Sequence, residues 1–158
     1  MKSTIIVAFI FLLLILGCGK FGSGKRSASS LDPYRGDLAE LLPTELSLGS
    51  LKFKLAGSET TSPAQGAVKA QVFTYMQEAG GIGVKIDGRL SNYASAAEAN
   101  AALADIAKKY PGTLTAKRSG QRFIGEDKTL AWTNGSLLCV VKGSTAKGAT
   151  NFEEAAPF

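Results

Sequence analysis

Apolar and polar residues alternate in two distinct periods along the chain, and each period predicts a type of element. Apolar side chains at every second position are typical of a strand with one buried face. This pattern occurs at residues 51–55 and 82–90, and again at 114–117 and 121–124 on either side of Gly120. We therefore expect strands in both halves of the chain.

Two segments with apolar residues three and four positions apart predict helices. The first covers residues 63–77 and follows Ser62 as N-cap, with proline at the first helical position and Gln65 three residues after the cap. Residues 72–75 also have strand propensity, so the pattern here is mixed. Shorter helices are predicted at residues 37–42 and 151–156.

The second long helix has the clearest boundaries. Ser95 and Glu98 form a full capping box at its start. Lys108 and Lys109 lie in its last turn, where positive charge interacts favourably with the helix dipole, and Pro111 stops the helix. We expect this helix to cover residues 96–110.

A β-hairpin is predicted near the end of the chain. Asn134-Gly135 separates two apolar runs, and this dipeptide is typical of a type I′ turn. Such a turn would place Trp132 opposite Leu137. Because residues 137–141 are apolar on both faces, this strand is expected to be central in its sheet.

The order strand, helix, strand, helix and then three or four strands predicts an α+β fold. We expect two helices packed on one face of a mainly antiparallel sheet, as a two-layer sandwich. A chain of 158 residues fits one such domain, at residues 31–158.

The first residues carry a different pattern, that of a targeting segment. Lys2 precedes residues 5–16, which contain no polar side chain. As a helix this run would be about 18 Å long, too short for the roughly 30 Å core of a bilayer. It is typical of the apolar region of a signal peptide.

Ile15-Leu16-Gly17-Cys18 follows this run and resembles the lipobox of bacterial lipoproteins. Leu16 departs from the small residue usual at that position. The resemblance implies a signal peptide at 1–17, cleavage between Gly17 and Cys18, and a diacylglycerol on the Cys18 thiol with a further acyl chain, such as palmitate, on the new amino terminus. Two or three acyl chains give stable anchoring. Gly19, in place of the aspartate that retains such proteins at the inner membrane, implies an outer membrane where the organism has one.

A flexible tether is expected at residues 18–30, which are rich in Gly and Ser. The formal net charge is +5, but Lys20, Lys25 and Arg26 lie in the tether. The domain itself is thus close to neutral. Basic residues beside the anchor could attract anionic headgroups or simply keep the linker soluble.

Candidate chemistry in the domain is sparse. The chain has no histidine and two cysteines, which argues against catalytic triads and zinc sites. Cys139 lies among apolar neighbours, as a core cysteine would. We expect no catalytic residues, no metal and no cofactor.

A basic cluster offers the one candidate contact with a partner. It is formed by Lys117, Arg118, Arg122 and Lys128. The alternative is a solvated sheet edge whose lysines discourage strand pairing. An extracytoplasmic position argues against nucleic acid as the partner.

The sequence therefore predicts a lipid-anchored binding or protein-interaction module of the bacterial cell envelope, facing the periplasm or cell exterior. Its partner would be an unknown envelope protein or a small ligand. A carrier of a small apolar ligand is the alternative, and it would need a cavity lined by Val68, Val72, Leu103 and Ile106. A carboxylate-dependent envelope enzyme is a weaker alternative.

Overall fold

The computed structural model describes residues 33–78, 83–117 and 120–158. The predicted leader, Gly17, Cys18 and the tether lie outside these residues. The described elements are a short 3-10 helix η1 (Leu38–Leu41), β1 (Glu45–Leu48), β2 (Leu51–Thr61), β3 (Ala67–Glu78), β4 (Val84–Tyr93), α1 (Ala96–Lys109), β5 (Gly112–Lys117), β6 (Gly120–Gly125), β7 (Thr129–Asn134), β8 (Leu137–Gly143) and α2 (Ala146–Ala155). None of the helices in these ranges has the length and apolar character needed to cross a bilayer.

The strands form one eight-stranded antiparallel sheet in the order β1-β2-β3-β4-β8-β7-β6-β5. The α+β class predicted from the sequence is confirmed. The chain makes a four-stranded meander and a helix, then repeats that order of elements. The last strands of the two meanders, β4 and β8, pair at the centre of the sheet. The prediction that residues 137–141 form a central strand is thus confirmed.

The two helices lie on opposite faces of the sheet, so the prediction of both on one face is not confirmed. In β8, Cys139 and Val141 join the core that contains α2, whereas Leu138 and Val140 pack with α1. Adjacent residues of a strand point to opposite faces. The described sheet therefore has one helix on each side, in place of the two-layer sandwich.

The point at which each central strand ends explains this arrangement. Tyr93, the last residue of β4, belongs to the α1 core. Gly143, the last residue of β8, pairs with Ile86, which belongs to the α2 core. Each helix has its N-cap two residues after its strand, so each begins on the face of that strand's last residue.

The predicted helix over residues 63–77 is wrong, because most of this segment is β3. Residues 64–67 form a turn closed by a hydrogen bond from the Ala67 amide to the Ala64 carbonyl, 2.9 Å long. Phe73 and Tyr75 then point into the core at strand spacing. Serine, proline and glycine are turn formers as well as helix-start signals, and pairing with strands on both sides overrides the local helix preference.

The β7–β8 hairpin forms, but its register differs from the prediction. Asn134 pairs with Leu137, so the two-residue turn is Gly135-Ser136. Only Gly135 has a positive φ, +58°, as a type II′ turn requires at its first central position. Trp132 consequently opposes Cys139 rather than Leu137. The shift is two residues, which leaves each side chain on its predicted face.

Aromatic rings dominate the core between the sheet and α2. The ring of Phe152 on α2 lies 5.6 Å from that of Phe53, 5.8 Å from Phe73 and 5.1 Å from Tyr75, measured between centroids. All four side chains are buried. The C-terminal helix, which begins earlier than its predicted range, therefore covers β2 and β3 of the first meander.

Candidate functional site

Two residues of the predicted basic cluster, Lys117 and Arg122, pair with a buried carboxylate. Lys117 Nζ lies 2.7 Å from Oε1 of Glu153, and Arg122 Nη2 lies 2.8 Å from Oε2. The Glu153 side chain is only 4% exposed. Arg118 lies outside the described residues. Lys117 and Arg122 thus bind α2 to the sheet through a buried carboxylate.

The remaining member of that cluster, Lys128, has a structural role in the β6–β7 turn. It has a φ of +69°, and its Nζ donates to the Ser144 carbonyl at 3.2 Å. Next to it, Asp127 accepts a bond from Lys142 Nζ at 2.9 Å. Hydrogen bonds from Thr129 and then from Lys142 lower the pKa of Asp127 to about 2. These charges stabilise the β6–β7 turn, and a shared contact of Lys117, Arg118, Arg122 and Lys128 with a partner stays a prediction.

Cys139 is a core residue, as the sequence predicted. Its side chain is 1% exposed and packs among the apolar residues beneath α2. Burial raises the pKa of its thiol well above the ordinary value. In the described parts of the chain, no group of three or more His, Cys, Asp or Glu residues is placed to hold a metal ion.

One concave site of the described structure is a cleft between α1 and the sheet, with a volume of about 520 Å³. We call it the α1 cleft. Its walls are α1, the central strands β4 and β8, and the β2–β3 turn. The lining residues are Ala64, Gln65, Gly66, Arg89, Ser91, Tyr93, Glu98, Ala101, Ala102, Asp105, Ile106, Lys109, Leu138 and Val140.

The position of α1 on the sheet creates this cleft. The buried residues Ala99 and Leu103 hold the helix against Phe123 of β6 and Ala131 of β7. Most of the helix therefore packs over β6, β7 and β8, and the side towards β3 and the β2–β3 turn stays open. The alanines Ala101 and Ala102 do not fill that space.

The predicted cavity for an apolar ligand does not form as expected. Of the four residues proposed to line it, only Ile106 borders the α1 cleft. Leu103 is fully buried, and Val68 is exposed on β3. The prediction placed Val68 and Val72 on a helix, whereas both belong to a strand.

Arg89 is the charged residue of the cleft wall that lies on the sheet. One terminal nitrogen of its guanidinium, Nη2, donates to the backbone carbonyl of Ser62 in the β2–β3 connection. Its Nε is buried and has no hydrogen-bond partner among the described residues. No carboxylate in these residues forms an ion pair with Arg89.

The acidic residues of the cleft are already engaged within α1. Glu98 Oε2 accepts the backbone N–H of Ala94 at 3.1 Å as part of the N-terminal cap. Asp105 accepts from Lys108 Nζ at 2.9 Å, and this bond lowers the pKa of Asp105. Lys109, which also borders the cleft, has no ion pair within the described residues.

Tyr93 and Ser91 add hydroxyl groups to the same wall of β4 as Arg89. Burial raises the pKa of Tyr93, and the positive charge of Arg89 acts in the opposite direction. Arg89 is therefore close enough to the phenol to influence it. Leu138, Val140 and the alanines supply an apolar floor beside these polar groups.

Sequence reasoning missed this site. The alternation over residues 82–90 predicts only a strand with one solvent-exposed face, and it assigns no role to Arg89 or Ser91. Because residues 63–77 were predicted to be helical, the turn that closes the cleft was not placed next to β4. The signal available was an arginine on the strand that immediately precedes an alanine-rich helix.

In comparisons with known proteins, no family model, no curated protein and no solved structure matches this chain.

Proposed function

We propose that the protein is a lipid-anchored binding module of the bacterial cell envelope. The lipobox-like sequence ending in Cys18, the apolar run before it and the Gly/Ser-rich tether after it support this proposal. Under it, the domain faces the periplasm or cell exterior, on the outer membrane where one exists, and reaches its partner while held close to the bilayer.

The α1 cleft supports binding of a small ligand as the activity. Its volume of about 520 Å³ falls within the range of roughly 300–1,000 Å³ that is common for small-molecule sites. It combines an apolar floor with a few convergent polar groups, which is the usual make-up of such sites. The role proposed is binding rather than catalysis, without a cofactor and without nucleic acid as a partner.

A single preparation tests both parts of this proposal. The protein is expressed natively, extracted from membranes and measured by native and denaturing mass spectrometry. A mature chain that begins at acylated Cys18, and that releases a small molecule on denaturation, is the expected result. An unmodified chain, or one that keeps residues 1–17, contradicts the lipid anchor.

A pair of alanine variants tests the cleft itself. Ala101 is exposed at the rim of the α1 cleft, whereas Ala97 is exposed on α1 outside the lining. Ala101→Trp should displace the bound molecule, and Ala97→Trp should retain it. Loss of ligand from both variants, or from neither, contradicts binding in the cleft.

A protein partner is the second candidate function, and the β5 edge favours it. All six residues of β5 are exposed, and within the described sheet β5 is an edge strand that pairs with β6 alone. An exposed edge strand can accept a strand from another protein. A photo-crosslinker at Thr115 should capture an envelope protein under this alternative, and one at Ala97 should not.

A further inference from the structure

We propose that the ligand of the α1 cleft is a small amphipathic anion, with its carboxylate or similar group bound by Arg89 and Lys109 and its apolar body against Leu138 and Val140. This inference rests on the proposed function, and it adds the chemical class of the ligand. The neighbouring charges, the unused hydrogen-bond donors and the division of the cleft into polar and apolar walls carry it.

Two basic and two acidic residues border the cleft, so their formal charges alone favour neither an anion nor a cation as the ligand. The internal partners change that balance. Glu98 is used by the backbone at the start of α1, and Asp105 is used by Lys108, a cation outside the lining. Arg89 has no carboxylate partner in the described residues, and Lys109 forms no ion pair there, although its charge, after the bond from Lys108, contributes to the lowered pKa of Asp105. The charges left for a ligand are therefore positive.

Arg89 has donors that the described chain does not use. A guanidinium carries five N–H donors, and it binds carboxylate and phosphate groups well because its donors form a planar fork. Here Nη2 bonds the Ser62 carbonyl and Nε is buried without an acceptor, so Nη1, which has no hydrogen bond within the described residues, is the donor left for a ligand. The bond to Ser62 also holds the Arg89 side chain in place, so less side-chain conformational entropy is lost when a ligand binds.

The rest of the lining limits the ligand to one with an apolar body. Leu138 and Val140 come from the central strand β8, and Ile106 and Ala102 face them from α1. The Tyr93 ring closes one side, next to Gly66 of the β2–β3 turn. A fully hydrated anion would leave the exposed parts of Val140, Ile106 and Ala102 in water, whereas an aliphatic or aromatic acid would cover them and also reach the cations.

The test uses three eight-carbon probes that differ only in the head group: octanoate, octanol and octylamine. The full chain is placed in phosphatidylcholine nanodiscs, and empty nanodiscs measure the partition of each probe into lipid. Hydrogen exchange followed by mass spectrometry reports protection of α1 and β4, and a titration gives the dissociation constant. Octanoate should protect both elements at a concentration about tenfold lower than octanol, the factor expected for one charge-assisted contact.

Matched charge variants identify the contact. Arg89→Gln should raise the octanoate dissociation constant about tenfold and leave that of octanol unchanged. Lys147→Gln removes the same charge from an exposed position on α2, on the other face of the sheet, and should change neither. Native hydrogen exchange in β7 and β8 shows that Arg89→Gln is folded. If that variant is not folded, Lys109→Gln, at an exposed position, is the second variant.

The outcomes separate this inference from the function on which it rests. Equal or stronger protection of the cleft by octanol or octylamine overturns the anion preference and leaves the binding role intact. Protection by octanoate that survives both Arg89→Gln and Lys109→Gln also overturns it. If none of the three probes protects α1 and β4, and the extracted protein carries no ligand that Ala101→Trp displaces, both the inference and the proposed binding role fail.

Discussion

Removing both cations that contact Glu153 is expected to destabilise the protein by more than the sum of the two single removals. The carboxylate is 4% exposed and bonds Lys117 through Oε1 and Arg122 through Oε2. In Lys117→Met or Arg122→Met one partner remains. In the double variant the carboxylate is buried without any cation.

The magnitudes follow from the exposure of each partner. Lys117 is 37% exposed, bonds one oxygen of Glu153 and lies over the Trp132 ring, so its loss should cost about 1 kcal/mol after solvent screening. Arg122 is 25% exposed and donates from both Nε and Nη2, so its loss should cost about 2 kcal/mol. An unpaired buried charge costs about 3–5 kcal/mol. The double variant should therefore lose about 4–5 kcal/mol, with about 1–2 kcal/mol of coupling.

Urea unfolding followed by fluorescence measures these differences. Trp132 is the only tryptophan in the chain, is 1% exposed, and its ring lies 5.6 Å from Lys117 Nζ. With a slope of about 2 kcal/mol per molar urea, the double variant should unfold at a midpoint about 2 M lower. Lys142→Met, which breaks an exposed pair with Asp127, is the control and should cost under about 1 kcal/mol.

A third substitution decides between a buried charge and simple loss of packing. Adding Glu153→Leu to the double variant removes the unpaired carboxylate and should restore most of the lost stability. Additive single effects, or a triple variant as unstable as the double, would refute the reasoning. Circular dichroism should give the same midpoints, which checks that unfolding is two-state.

Three further predictions concern the core. Phe152→Ala should lower the free energy of unfolding by about 3–5 kcal/mol, measured by urea titration, because it empties a fully buried ring position; a loss below about 1 kcal/mol would contradict the aromatic packing. Gly88→Ala should lower the melting temperature, since its Cβ would clash with the Phe73 ring, while Gly57→Ala, where nothing lies within 4 Å, should not; equal effects would exclude the clash as the cause. Cys139 should react with iodoacetamide only after unfolding, because burial raises the pKa of its thiol; rapid alkylation of the native protein would show that the thiol is accessible.

Elements defined by local signals were predicted well from the sequence. The capping box places the Ser95 side chain 3.2 Å from the Glu98 amide, and α1 begins at the predicted residue. The segment around Ser62 failed because the same residue types start both helices and turns. Its identity as a strand depends on β2 and β4, which supply pairing partners on both sides.

The sheet face that each helix covers and the candidate site could not be predicted, because both depend on contacts between segments that are distant along the chain. Whether α1 and α2 share a face depends on which residue ends each strand, Tyr93 or Gly143, and a change of one residue reverses the outcome. The α1 cleft joins the β2–β3 turn to a helix about thirty residues further along the chain. Neither relation leaves a periodic pattern in the sequence.

The pairing of β4 with β8 also has a consequence for the time course of folding. Every other ladder of the described sheet joins strands that follow one another along the chain, whereas this ladder joins Asn92 to Leu137 and Ile86 to Gly143. Local hairpins form quickly, and a distant pair must first close a long loop. The edge of β4 therefore stays open until β8 has formed, which exposes the chain to wrong strand pairing. Because Phe152 of α2 covers Phe53 and Phe73, a fragment that ends after α1 would leave its aromatic face uncovered, and the first meander is not expected to fold as an independent unit.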